Sequence, residues 1–203
     1  MKTSDFKNYF DRVSDTLAQL DIPALGKVAD LLMTCREKGN TVYIFGNGGS
    51  AATASHVTGD FLKGISYQLE KRFRIVCLND NIAAMTAISN DLTYDEVFVE
   101  QLQTFLKKDD VVIGISGSGN SANVIRAMEY ARDKKAVTVA LTGYTGGKLR
   151  DIADIMINAP IKDMEVTEDI HIIIFHAIKQ ELIRKIKGEN YTMGYNYDQR
   201  VKQ

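Results

Sequence analysis

The chain has 203 residues, 45% hydrophobic and 25% charged, with a net charge of −1 and a pI of about 6.3. That is the profile of a globular protein with room for one substantial core. It lacks the clustered Lys and Arg that a nucleic-acid backbone demands, and no apolar run approaches the ~20 residues of a membrane span. The N-terminal MKTSDFKNYFDRVSD has no apolar stretch of the signal-peptide kind, so a cytoplasmic protein is expected. Cys35 and Cys77 stand in apolar surroundings at no metal-like spacing and read as reduced core thiols.

Residues 5–38 predict two amphipathic helices. Leu17, Leu20 and Ile22 lead into Pro23, after which Leu25, Val28, Leu31 and Leu32 recur at helical spacing. The run TVYIFG then predicts a strand, GNGGSA a Gly-rich turn, and the following residues a helix through Leu62. RIVCLN, from Arg74, reads as a strand followed by the helical NIAAMTAIS. DVVIGIS, from Asp110, leads through GSGNSA into the helix ANVIRAMEYARDKK. AVTVALTG, from Ala136, is followed by the loop YTGGKLRDIA and by IMINAP from Ile155. Five short β-rich runs alternating with helices predict a parallel sheet covered on both faces, a three-layer α/β sandwich formed by one domain over 1–203. A last helix from about Val166 to Lys187 is apolar over HIIIFHAI, as for a helix buried in the domain or against another chain. Residues 188–203 form a polar tail with three tyrosines.

Two loops at strand ends carry the chemistry. They are Gly46-Asn47-Gly48-Gly49-Ser50 and Ser116-Gly117-Ser118-Gly119-Asn120-Ser121. Glycines let the backbone approach a ligand closely, and free N–H groups at a helix N-terminus meet an anion with help from the helix dipole. Gly117-x-Gly119-x-x-Ala122 has the form of a dinucleotide fingerprint, but the next strand ends Ala140-Leu141-Thr142, without the acidic residue that a ribose needs. Serines in this density suit a terminal phosphate. His56 and Asp60 lie four apart, a chelating spacing on a helix. The late helix offers Glu168, Asp169, His171 and His176; the two histidines do not share a face, and His176 reads on spacing alone as a core residue.

These residues, in this order, resemble the sugar isomerase (SIS) domain family and, within it, the phosphoheptose isomerases. The resemblance rests on GNGGSAATASH, AISNDLTYDEVF, SGSGNSANV, and the late helix with Glu168 and His176. It implies a flavodoxin-like SIS fold and an aldose–ketose isomerase that interconverts sedoheptulose 7-phosphate and a D-glycero-D-manno-heptose 7-phosphate type aldose. Asn47, Gly48 and Gly49, with Asn90 and Asp91, would hold the sugar hydroxyls. Ser116, Gly117, Ser118 and Ser121 would hold the phosphate, with Ser50 and Asn120 in the same loops. A divalent metal, zinc by resemblance, would be bound by His56, Asp60, Glu168 and His176, with Asp60 and His176 as the proton-transfer pair and Glu168 also near the substrate. Family members are homotetramers with active sites between subunits. The chain departs from the family at Asp60, usually Glu, and at Glu168, usually Gln. On one straight helix Glu168 and His176 would stand roughly 12 Å apart, so either Glu168 precedes the helix or the two ligands come from different chains. The alternatives are a non-catalytic phosphosugar-binding protein, like the DnaA initiator-associating protein, and an isomerase of another sugar phosphate.

Overall fold

The computed structural model describes residues 3–188 and alternates strands and helices as the periodicity predicts. Two helices, α1 (Thr3–Leu17) and α2 (Ile22–Lys38), are separated where the Asp21 carboxylate accepts the Ala24 N–H at 3.1 Å. Pro23 follows in the first turn, where no donor is needed. Then come β1 (Thr41–Gly46), α3 (Gly49–Gly59), β2 (Arg74–Cys77), α4 (Ile82–Asp91), α5 (Val99–Phe105) and β3 (Val111–Ser116). The chain continues through α6 (Ala122–Asp133), β4 (Val137–Gly143), β5 (Ile155–Ala159) and α7 (Met164–Lys187).

The five strands pair parallel in the order β2-β1-β3-β4-β5. Central strands β1 and β3 are buried on both faces, which is why they read as unbroken apolar runs; the edge strand β2 alternates exposed and buried residues. Val42, Ile44, Ile113, Ile115 and Leu141 face one core layer, built with α2, α3 and α7. Tyr43, Phe45, Val112 and Ala140 face the other, built with α5 and α6. Two carboxylates pin the amino ends of strands: Asp110 accepts from the Thr41 and Lys107 N–H groups at 2.8 Å each, and Asp154 from the Thr138 N–H at 2.8 Å. Strand order reverses between β1 and β3, and the crevice at their carboxyl ends is where an open α/β sheet binds ligands.

The structure adds to the sequence reading or departs from it in four places. The α5 helix, whose period is short, was not expected. The helix expected through Leu62 is α-helical only to Gly59 and widens into a π-helical turn over Asp60–Ile65. The α4 helix buries none of its residues. Finally, α7 begins at Met164, so Glu168 lies inside the helix and does not precede it. The polar-tail reading falls on residues 189–203, which lie outside the described residues.

Candidate active site

Backbone geometry at the end of β1 is held by a residue from the next strand's end. The Asn79 amide donates to the Gly46 carbonyl at 2.9 Å and its oxygen accepts the Gly46 N–H at 3.2 Å. Beyond it, Asn47 and Asn123 exchange side-chain hydrogen bonds of 2.9 and 3.0 Å, and the Tyr94 hydroxyl donates to Asn47 Oδ1 at 2.8 Å. The β1 loop is thereby tied to the first turn of α6. Gly49 opens α3 against α7: a Cβ there would stand 2.3 to 2.4 Å from the Glu168 carboxylate atoms, so a larger residue would make the Glu168 side chain swing away.

The loop after β3 is equally constrained. Gly119 has φ +66°, and a Cβ on it would lie 2.0 Å from the Gly146 carbonyl oxygen. Asn120 fastens the loop by donating to the Ser118 carbonyl at 2.9 Å and accepting from the Lys148 N–H at 3.1 Å. Ser116 and Ser121 hydroxyls face each other at 3.0 Å, and Ser121 does not cap α6 with its side chain. The Val124 N–H in the first turn of α6 is taken by Asn123 Oδ1 at 2.9 Å, which leaves the N–H groups of Ala122 and Asn123 to a ligand. The two loops enclose a cleft of about 300 Å³ lined by Asn47, Gly48, Gly49, Ser50, Ser116, Gly117, Ser118 and Ser121, with Met164 and Glu168 on the α7 side. Two helix N-termini and several uncharged donors converge there, which is the chemistry of a phosphate site.

A second constellation sits further along the same two helices. His56, in the last turn of α3, Asp60, in the π-helical turn, and His176, midway along α7, gather into one group. The two Nε2 atoms are 3.0 Å apart, and Asp60 Oδ2 lies 3.4 Å from His56 Nε2 and 3.6 Å from His176 Nε2. Zinc bonded to nitrogen and carboxylate oxygen at ~2.0–2.2 Å sets neighbouring tetrahedral ligand atoms ~3.3–3.6 Å apart. The two Asp60 separations fall in that range and the Nε2–Nε2 separation is slightly shorter, so the three donors approximate one face of a tetrahedral cation site. Asp60 Oδ1 is taken by Lys179 Nζ at 2.6 Å.

The two histidines of α7 exchange the roles that spacing alone suggests. His176 is not a core residue: its side chain is 50% exposed. His171 is the buried one, its Nε2 3.0 Å from the Thr142 carbonyl and its Nδ1 without a partner. The carbonyl can only accept, so Nε2 carries the proton. Burial pushes the His171 pKa down to about 4, which keeps the ring neutral. The reason is rotational. Ile170, Ile174, Phe175 and Ile178 set the sheet-facing side of α7, and five residues further round the helix His176 points away from it.

Comparison with known proteins agrees with this geometry. The family described as the SIS domain matches residues 5–143. The phosphoheptose isomerase of Helicobacter pylori is 40% identical over 168 residues, covering 82% of this chain and 86% of that protein. That of Aliarcobacter butzleri is 36% identical over 184 residues, 89% of this chain and 96% of that protein. The chain belongs to the SIS domain family, on its phosphoheptose isomerase branch. Among solved structures, phosphoheptose isomerase from Neisseria gonorrhoeae superposes with a TM-score of 0.80 at 30% identity, over 88% of this chain and 95% of that one.

Set against the residues that the SIS resemblance singles out, the structure brings most of them together. Asn47 through Ser50 share the cleft with Ser116, Gly117, Ser118 and Ser121, while Asn120 braces the second SIS loop from outside. Three of the four expected metal ligands meet in one chain; Glu168 instead lies against Gly49, two turns earlier on α7. Asn90 and Asp91 do not line the cleft. They end the exposed α4 helix, where the Asn90 amide donates to Asp91 at 2.8 Å. Asn79, Asn123, Tyr94 and Lys179 went unread in the sequence. Asn79 alone had a signal there, being a polar residue at the carboxyl end of a strand.

Proposed function

We propose that the protein is a phosphoheptose isomerase, interconverting sedoheptulose 7-phosphate and a D-glycero-D-manno-heptose 7-phosphate type aldose. The observation that carries this reading is that α3 and α7 each contribute to both the anion cleft and the His56–Asp60–His176 group. Relatives on the same branch bear this activity in their names.

The phosphate is bound by the loop after β3 and the N-terminus of α6, through Ser116, Gly117, Ser118 and Ser121. The loop after β1 presents Asn47, Gly48 and Gly49 to the sugar hydroxyls, and the Asn47–Asn123–Tyr94 network keeps the Asn47 amide from turning away. Isomerisation moves a proton between C1 and C2 through an enediolate. It requires a base at carbon and a proton donor at the carbonyl oxygen. We assign that work to His176 and Asp60, an imidazole and a carboxylate being groups that can take up and return a proton. His56, Asp60 and His176 would hold a divalent cation, zinc by ligand type, which would polarise the substrate carbonyl as a Lewis acid. Glu168 would complete this set only from a second copy of the chain, because ~12 Å of helix separates it from His176. Asn90 and Asp91 would likewise act across a subunit boundary. The exposed apolar residues Ile82, Leu92 and Tyr94 on and after α4, with Phe6 and Phe10 on α1, support a homotetramer with active sites between subunits. We read the protein as cytoplasmic; among the described residues no helix is long and apolar enough to cross a membrane.

The test is proton NMR of the zinc-supplemented protein with sedoheptulose 7-phosphate in heavy water. An aldose phosphate carrying deuterium at C2 is the expected product. Absence of conversion, with the sugar phosphate still perturbing the protein's own resonances, would replace this reading with that of a binding protein.

A further inference from the structure

Lys179 lies three residues beyond His176 on α7, so the two share a helix face. Its side chain is only 12% exposed, and its Nζ is 2.6 Å from Asp60 Oδ1, while Asp60 itself is 21% exposed. The other Asp60 oxygen is the one that faces the two imidazoles. A single carboxylate is therefore held from both sides. Room for the lysine comes from Gly64 in the π-helical turn, where a Cβ would stand 3.2 Å from Lys179 Cε and 3.3 Å from Nζ.

The arrangement has a physical consequence. A carboxylate turns broadly about its last side-chain bond, and Asp60 would otherwise present either oxygen, at varying angles, to the histidine pair. An ammonium fixed on Oδ1 removes that freedom, and its position away from water makes the pair firmer than an exposed ion pair. Because the lysine is anchored on the helix that carries His176, the carboxylate and that imidazole are positioned by one rigid element.

We propose that Lys179 is a positioning residue for the metal centre, orienting Asp60 so that Oδ2 completes the donor set with His56 and His176. This rests on the reading of those three residues as a divalent-cation site. The lysine's own charge disfavours a cation nearby, so orientation and charge make opposite predictions, and the lysine's removal decides between them.

The experiment uses the full chain and two probes, zinc in competition with a chromophoric chelator and the ligand-field spectrum of bound cobalt(II). Lys179→Met should weaken zinc binding about 10–100-fold, the usual cost of losing a partner that orients a ligand. It should also alter the cobalt spectrum, and Lys179→Arg should restore most of both. In an Asp60→Asn background, Lys179→Met should cost nothing further. Unchanged or tighter zinc binding in Lys179→Met overturns the proposal while leaving the metal site standing, as does an equal loss in the Asp60→Asn background. If the unaltered protein binds neither zinc nor cobalt, the metal reading falls and the proposal with it. Should Lys179→Met fail to fold, Lys179→Gln, which keeps a donor but no charge, carries the same comparison.

Discussion

His171 makes the stability of this fold depend on pH in a predictable window. In the folded chain its pKa is pushed down by burial from 6.5 to about 4. Between those values the unfolded chain binds the proton and the folded chain does not. Stability therefore falls as pH drops through 6.5 and goes on falling until the folded imidazole itself titrates near 4. A gap of that size, at 1.36 kcal/mol per unit, corresponds to a loss of about 3 kcal/mol. Full stability from this group is present at neutral pH. The assay is urea unfolding of the native chain and of His171→Gln, near neutral pH and near the folded pKa. Glutamine is uncharged in both conditions and keeps an amide N–H of similar reach for the Thr142 carbonyl that His171 contacts at 3.0 Å. Carboxylates titrate alike in both proteins and cancel in the comparison. The native chain should lose about 3 kcal/mol more than the variant on acidification. Identical pH dependence in the two would refute the claim that the buried ring is held neutral.

His176→Ala should abolish turnover and leave the fold intact, because its side chain is half exposed; a near-normal rate by the NMR assay would end its assignment to proton transfer. Gly119→Ala would force a Cβ to within 2.0 Å of the Gly146 carbonyl at a backbone φ of +66°. It should lower the melting temperature and raise the KM for the sugar phosphate at least ~10-fold, the equivalent of ~1.4 kcal/mol of binding. A KM unchanged in a folded variant would remove that loop from the phosphate site. Asn79→Ala removes both hydrogen bonds to Gly46 and should destabilise the chain by ~1–3 kcal/mol in urea unfolding. A smaller cost would mean that water replaces the clamp.

Much of the site was legible because its parts are local. The Gly/Ser/Asn loops directly follow apolar runs, so their place at strand ends can be read from order alone. His56 and Asp60 sit one helical turn apart and had to share a face. Other assignments were out of reach for equally concrete reasons. Asn123 looks like any polar residue in the first turn of a helix until Asn47 meets it across 76 positions of sequence. Lys179 reads as a solvated charge on an amphipathic helix, and its partner Asp60 is more than a hundred residues away. α5, of seven residues, is too short for its period to stand out.

Local pattern determined the element types, the parallel α/β class, the two candidate anion-binding loops and the His56–Asp60 pair, while Glu168 and His176 entered the candidate ligand set only through the family resemblance. The local properties depend on spacings of two to four residues and on glycine's backbone freedom, which the chain carries wherever it goes. Tertiary structure alone decided which side of α7 faces the sheet, and with it that His171 is buried and neutral while His176 joins His56 and Asp60. It also set Glu168 against Gly49, two helical turns from that group. The rotation of α7 is fixed by Ile170, Ile174, Phe175 and Ile178 packing on the sheet. That packing is a long-range balance of burial in which every residue of the helix takes part, and no single spacing expresses it.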